Sequence, residues 1–441
     1  MDFRDRPAAD DFLASRNDVM TVYRDVQSSE GRLFPLRYVR SGFQSALPTV
    51  MVVPGGPGSA SVFPYELLRR DMTHKGLDVL MMEHRGVGMS RADAQGRDLP
   101  EHVMSIHNVL EDMRAVLDHA GVQRAVLVGS SYGAHLVQRF ALAYPERVHA
   151  LVLDSPLTGV RDTVAFTEQL RAMYFEGTYD HTESIARAMR RLVRDQIVPV
   201  EETGPVLAAV HEYGGVTAVR ELVDLLVLGR GQLAWASIQH IITSREWFNR
   251  APYVFENDLV GRIGATELGL GSTADFGPLD PLTIVAERAR MFPPFEGELF
   301  DLETERSRIT APTLVLAGER DLVVPAWRAK LAAQSIPGAR AADGSLRLIS
   351  VPNVGHQILD SHQPLMVVAA HWAAAGAIDG LLARDVRSLR GGVVTEAFNR
   401  GIQAALLAEK YAPLKLWSRR SLARGPLAGA DARGPGRLLS V

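Results

Sequence analysis

The chain has 441 residues, 46% of them hydrophobic and 22% charged, and its 48 Lys and Arg against 51 Asp and Glu leave a net charge of −3. That composition excludes a mostly disordered or fibrous chain, and the charge balance gives no global field to draw nucleic acid or an anionic membrane. There is no cysteine, which excludes a disulfide scaffold, a thiolate nucleophile and a Cys-ligated metal.

The opening stretch MDFRDRPAADDF lacks the basic and then apolar regions of a signal peptide. No run approaches the roughly 20 apolar residues of a membrane helix. The expectation is a cytoplasmic protein without a transmembrane segment. Met20 to Val26 and Arg32 to Arg40 read as the strands of a hairpin, with Ser28, Ser29 and Gly31 between them. Thr49–Val53, Asp78–Met82, Ala125–Val128 and Leu151–Leu153 follow as mostly continuous apolar runs, the pattern of strands buried on both faces. Helical spacing at Val109–His119 and His135–Tyr144 alternates with them, which argues for a parallel α/β sheet.

From about Gly159 to Arg308 that alternation stops. Ile185, Met189, Leu192, Val193 and Ile197 fall at helical spacing, and Glu221–Leu228 and Leu233–Ile242 read in the same way. Strands return at Thr313–Ala317 and Leu346–Val351, followed by a helix near Pro364–Trp372 and another over Glu396–Tyr411. The end, from Ser418, is rich in Arg and Gly and is expected to be disordered. The expected organisation is a core in two parts, residues 1–158 and 309–374, a helical cap inserted at 159–308, and a C-terminal extension at 375–441.

Gly129-Ser130-Ser131-Tyr132-Gly133 joins a strand directly to a helix. G-x-S-x-G in that context is a nucleophile elbow: the central Ser sits on a sharp turn, and larger residues two places either side would clash. The alternative is that Ser131 merely caps the helix. In the elbow reading, the amide of Tyr132 faces a developing oxyanion. Pro54-Gly55-Gly56-Pro57-Gly58 follows an earlier strand, and its backbone can approach a ligand closely; Gly56 or Gly55 is the expected second oxyanion donor. The turn Glu83-His84-Arg85-Gly86-Val87-Gly88-Met89-Ser90 reads as structural, with Arg85 holding the loop.

A serine nucleophile needs a base, and the base an orienting acid. His356 follows Gly355 just after one strand, and Asp321 follows another. Ser131, Asp321 and His356 therefore lie in the chain order Ser, Asp, His at strand carboxyl ends. Asp154 is the runner-up acid and Glu319 a weaker one. His135, His362 and His371 read as packed or solvated helix residues. His102, His107 and His181 do not give metal-ligand spacing, so neither a metal nor a cofactor is expected.

These segments, together with Leu151-Val152-Leu153-Asp154-Ser155-Pro156, resemble the proline iminopeptidase branch of the α/β hydrolases, which includes tripeptidyl aminopeptidases. The resemblance covers roughly residues 30–160 and 310–372. It implies an α/β-hydrolase fold, a mostly parallel sheet flanked by helices with a helical cap over Ser131, and release of an N-terminal residue. Two family positions differ: Pro54 stands where the family has His, and Glu83 where it has Asp. The family also uses cap carboxylates to hold the substrate amine, and the matching position here is Gln239, with Glu246 and Glu256 nearby as replacements. A neutral Gln cannot pair an ammonium as a carboxylate does. The reading is thus an aminopeptidase on a small peptide, with an esterase, lactonase or thioesterase on a small amide or ester as the alternative. A non-catalytic binding protein on the same fold is the third. No nucleic-acid partner is expected, and the oligomeric state is open.

Overall fold

The computed structural model describes residues 6–26, 31–42, 45–243, 250–384 and 393–411. The strands are β1 (Val19–Asp25), β2 (Leu33–Ser41), β3 (Val50–Val53), β4 (Val79–Met82), β5 (Ala125–Ser130), β6 (Val148–Asp154), the short pair β7 (Arg250–Ala251) and β8 (Phe255–Glu256), then β9 (Thr313–Gly318) and β10 (Leu348–Val351). Eight of them form one sheet in the order β1-β2-β4-β3-β5-β6-β9-β10. β1, β2 and β4 are joined antiparallel, and every pairing from β4 onward to β10 is parallel.

Continuous apolarity has the consequence expected of it. β3, β4, β5 and β9 are buried at every position. Because successive side chains of a strand point to opposite faces, Met51 and Leu127 join one apolar core, and Val50, Val52, Val126 and Val128 the other. Helices α1 (Ile106–His119) and α2 (Tyr132–Ala143) cover the first face through Val109, Met113, Val116, Leu136 and Phe140. Ser105 caps α1, its hydroxyl accepting the Asn108 N–H at 3.3 Å.

Between β6 and β9 the chain is largely helical. α3 (Glu183–Arg194), α4 (Val200–Val227) and α5 (Gln232–Thr243) build a third apolar core around Met189, Leu207, Leu222 and Trp235. The sequence reading differs here in three respects. α3 stops at Arg194, so Ile197 lies past its end and is 47% exposed. The Glu221–Leu228 stretch is only the end of a 28-residue element whose first half hides behind Pro205, Gly214 and Gly215. The pair β7–β8 has too few residues for a periodic signal.

α6 (Gln363–Ala374) covers the second sheet face with Leu365, Met366, Ala369, Ala370 and Ala373. α7 (Val393–Tyr411) then returns to the inserted helices, burying Ile402 and Leu406 in their core. Glu409 Oε1 accepts the backbone N–H of Leu233 at 2.7 Å and of Ala234 at 3.0 Å. These are orphan donors in the first turn of α5, where a negative charge is also favoured. Glu409→Ala is expected to cost about 1–2 kcal/mol, read as a lower midpoint in thermal unfolding. The arginines at 419, 420, 424, 433 and 437 lie outside the described residues. Among the described residues, no helix is long and apolar enough to cross a membrane.

Candidate active site

One residue, Ser131, separates the end of β5 from the start of α2. Its backbone takes φ 52 and ψ −114, a conformation few non-glycine residues adopt. The turn is held from both sides: Ser131 N–H donates to the Asp154 carbonyl at 2.9 Å, and the Ser131 carbonyl accepts His135 N–H at 3.1 Å. The flanking glycines are demanded by packing. A Cβ on Gly129 would overlap the Gly133 carbonyl, and one on Gly133 would overlap the carbonyl oxygens of Val53 and Pro54. The hydroxyl is thereby lifted above the strand ends on a residue only 5% exposed.

His356 Nε2 lies 2.7 Å from Ser131 Oγ, and its Nδ1 lies 2.9 Å from Asp321 Oδ2. The other carboxylate oxygen of Asp321 accepts Val324 N–H at 2.8 Å, which fixes the acid in its loop after β9. The loop after β10 is tied to it by Glu319 N–H on the Val351 carbonyl, at 3.1 Å, and Arg320 N–H on the Val354 carbonyl, at 2.8 Å. Burial opposes a charged imidazole, but Asp321, by charge and hydrogen bond, outweighs it with help from Glu212 and Asp154. His356 is pushed up to about 9.

Asp154, the other acid considered, serves a different purpose. It accepts Ser130 Oγ at 2.6 Å and Leu359 N–H at 2.9 Å, joining the elbow to the segment after His356. Burial pushes its carboxyl upward. Glu319 is exposed. His135 is buried in α2 and burial pushes it down to about 3, so it stays neutral.

Tyr132 N–H is the first donor of α2 and has no intrahelical acceptor. Gly55 lies against the Gln357 side chain. Gly56 lines a cleft of about 450 Å³ with Tyr65, Phe255, Gln357 and Asp360. A second cleft, about 530 Å³, is lined by Asp321, Arg320 and Trp327 together with His211 and Gly215 of α4. The 83–90 turn is tied to α1 and α2. Arg85 donates Nε and Nη2 to Asp112 at 2.6 and 2.7 Å, and His84 Nε2 meets the Tyr132 hydroxyl at 3.1 Å. Burial pushes His84 down to about 4, leaving it neutral.

The residues expected to hold a substrate amine fare differently. Glu256 does not face a cleft. It is fully buried beneath the 83–90 turn, accepts the Gly88 N–H, and lies 3.9 Å from Arg91. The reason is β8, whose backbone pairs with the 54–58 loop through Glu256 N–H on the Gly58 carbonyl at 2.8 Å. Gln239 is half-buried on α5, a helix anchored by Trp235 and Ile238, and lines neither cleft. Glu246 lies outside the described residues. A carboxylate of the insert that does reach His356 is Glu212 of α4, whose Oε1 accepts its backbone N–H. Sequence reading missed it because His211-Glu212-Tyr213-Gly214-Gly215 looks like a break between helices. The available signal was a lone acid closing an apolar helical run.

Ser131 on a strand-to-helix elbow, with Asp321 and His356 on loops at the carboxyl ends of parallel strands, is the layout in which open α/β sheets place their sites. A family model for the alpha/beta hydrolase fold matches residues 48–363, and the chain belongs to that family of hydrolases. It is 30% identical over 115 residues to a probable proline iminopeptidase of Streptomyces coelicolor, a match covering 26% of this chain and 35% of that relative. Epoxide hydrolase A of Mycobacterium tuberculosis is 30% identical over 270 residues, 54% of this chain and 79% of its own. Rhodomycin D methylesterase DauP of Streptomyces sp. strain C5 is 27% identical over 328 residues, 74% of this chain and 91% of its own. The solved serine hydrolase CCSP0084 of Cycloclasticus zankles gives a TM-score of 0.46 at 15% identity, covering 83% of this chain and all of that one (100%).

Proposed function

We propose that this hydrolase is a serine esterase acting on a small carboxylic ester through Ser131, His356 and Asp321. The observation that carries the reading is the unbroken hydrogen-bonded line from Ser131 Oγ through both imidazole nitrogens to Asp321, with contacts of 2.7 and 2.9 Å. Ser131 Oγ bonds to the ester carbonyl carbon while His356 Nε2 takes the hydroxyl proton. Asp321 accepts the Nδ1–H and steadies the imidazolium. The amide of Tyr132, with one from Gly56 or Gly55, donates to the oxyanion. Collapse breaks the ester C–O bond, and His356 returns its proton to the leaving alcohol. Water, deprotonated by His356, then attacks the acyl-enzyme and restores Ser131 with release of the acid.

An ester is preferred to a peptide because the positions matched to the family's amine-holding carboxylates supply none at the clefts, and Asp360, which lines one, accepts the Tyr65 hydroxyl at 2.6 Å. Glu256 is engaged with Gly88, and the Gln239 position is neutral. The match spanning 91% of a methylesterase supports the same choice. The proline iminopeptidase match and the Pro54–Gly58 loop favour the second reading, an aminopeptidase. Purified protein should be given p-nitrophenyl acetate, a prolyl aminomethylcoumarin amide, and the N-acetylated form of that amide. Ester turnover without amide cleavage is the expected result. Cleavage of the free-amine amide alone would replace the esterase with an aminopeptidase and send the search for its anchor to residues 244–249, which include Glu246.

A further inference from the structure

α4 is two helical pieces joined at Gly215, whose φ of 67 and ψ of −168 break the helix. The last turn of the first piece faces two ways. His211 Nδ1 lies 2.6 Å from the Tyr174 hydroxyl, inside the inserted helices. Glu212 faces the sheet instead: Oε1 accepts the His356 backbone N–H, and the carboxylate occupies the space a Cβ on Gly355 would need. Arg320 closes the arrangement. Its guanidinium lies over Gly215, donating to the Tyr213 carbonyl at 3.3 Å and to Asn353 Oδ1 at 2.8 Å. The loop carrying Asp321 and the loop carrying His356 thus both attach to one helix end, and that end belongs to the insert.

We propose that Glu212 is a positioning residue for the base: by holding the His356 backbone it sets the reach of the imidazole to Ser131, so that the triad is complete only when this end of α4 is seated on the sheet. This rests on the triad reading above. A base displaced by even an ångström loses much of its effectiveness, and the Glu212 contact draws the His356 amide toward the insert. Glu212 also acts by charge. It faces Asp321, His356 and Arg320, with Tyr213 beside it on α4, while Asp154 and Asp360 act on His356 from the sheet side. Burial, with Asp321 adding to it, pushes the Glu212 carboxyl up to about 8. Its ionised form favours the imidazolium, so removing that charge frees the neutral base at lower pH.

The test uses the full chain with p-nitrophenyl acetate and measures kcat and KM from pH 5 to 10. Glu212→Ala removes the acceptor and is expected to lower kcat about 10–100-fold with KM changed less than about twofold. Glu212→Gln keeps an acceptor oxygen without the charge. It should recover most of kcat and move the acid limb of kcat/KM to lower pH, a shift that a purely structural role would not produce. Thermal melts verify folding, and the near-isosteric Gln variant keeps the test decisive if the Ala variant is unstable. Wild-type kcat in Glu212→Ala, or an unmoved acid limb in Glu212→Gln, overturns the proposal. So does a loss confined to KM, or to free-amine substrates, which would make Glu212 a substrate contact. A Ser131→Ala control separates the two levels: turnover surviving there removes the triad reading, and this proposal with it.

Discussion

Ser131→Ala is expected to lower ester turnover by roughly four to six orders of magnitude, with thermal stability left close to wild type. The size follows from what is removed. Without the hydroxyl, His356 has no nucleophile to activate, and water must attack from bulk geometry while only the backbone donors still stabilise the oxyanion. Stability is spared because Ser131 is held through its backbone, by Asp154 and His135, and its side chain bonds only to the imidazole. The neighbouring serine makes the experiment discriminating. Ser130 points the other way, donating to the buried Asp154 at 2.6 Å, so Ser130→Ala should retain turnover and lose stability instead. Labelling by a fluorophosphonate probe provides an independent readout. It should disappear in Ser131→Ala and persist in Ser130→Ala. Equal labelling of both variants would place the nucleophile elsewhere.

The largest expected loss of stability comes from Asp112→Ala. Asp112 is 0% exposed and its partner Arg85 is 1% exposed. Both Asp112 oxygens are engaged by Arg85, and Arg24 adds a third contact at 3.0 Å. The Arg85 guanidinium is shielded from water, so deleting the carboxylate leaves a buried charge with only the Val103 carbonyl, at 3.2 Å, and the Phe34 ring beside it. The expected cost is about 3–5 kcal/mol, seen as a lower urea midpoint with an unchanged slope. A change below about 1 kcal/mol would mean that this pair is no more than an ordinary surface contact. Replacing Arg85 and Asp112 together by apolar residues should be milder than either single change, because no charge is then stranded.

Physical locality separates what could be read in the chain from what could not. The strands were legible because a strand buried on both faces must be apolar at each successive position, as Val50–Val53 and Ala125–Val128 are. The elbow was legible because its glycines answer to a clash within five residues and with the adjacent strand end. The Gly355-His356 turn and the Gly318–Asp321 turn announced themselves as loops after strands. Arg85 was legible as a loop holder, although its partner Asp112 was not.

The carboxylates were another matter, because the meaning of an acid depends on what faces it from far along the chain. Asp154 ends one strand and Asp321 follows another, and only folding turns one toward Ser130 and the other toward His356. Glu256 reads as a candidate amine anchor of the insert, yet an N–H 168 positions earlier draws it under the 83–90 turn. Glu212 sits in what looks like a helix break and meets His356 across 144 residues. Local pattern alone pointed to a parallel α/β sheet and to a serine on a strand-to-helix turn, since hydrophobic period and backbone clash act between near neighbours. Only the tertiary structure decided which acid lies beside His356, which supports a turn, and which reaches His356 from the insert. A buried charge takes its function from the particular dipole or ion that offsets its desolvation, and that partner is chosen by the packing of distant segments.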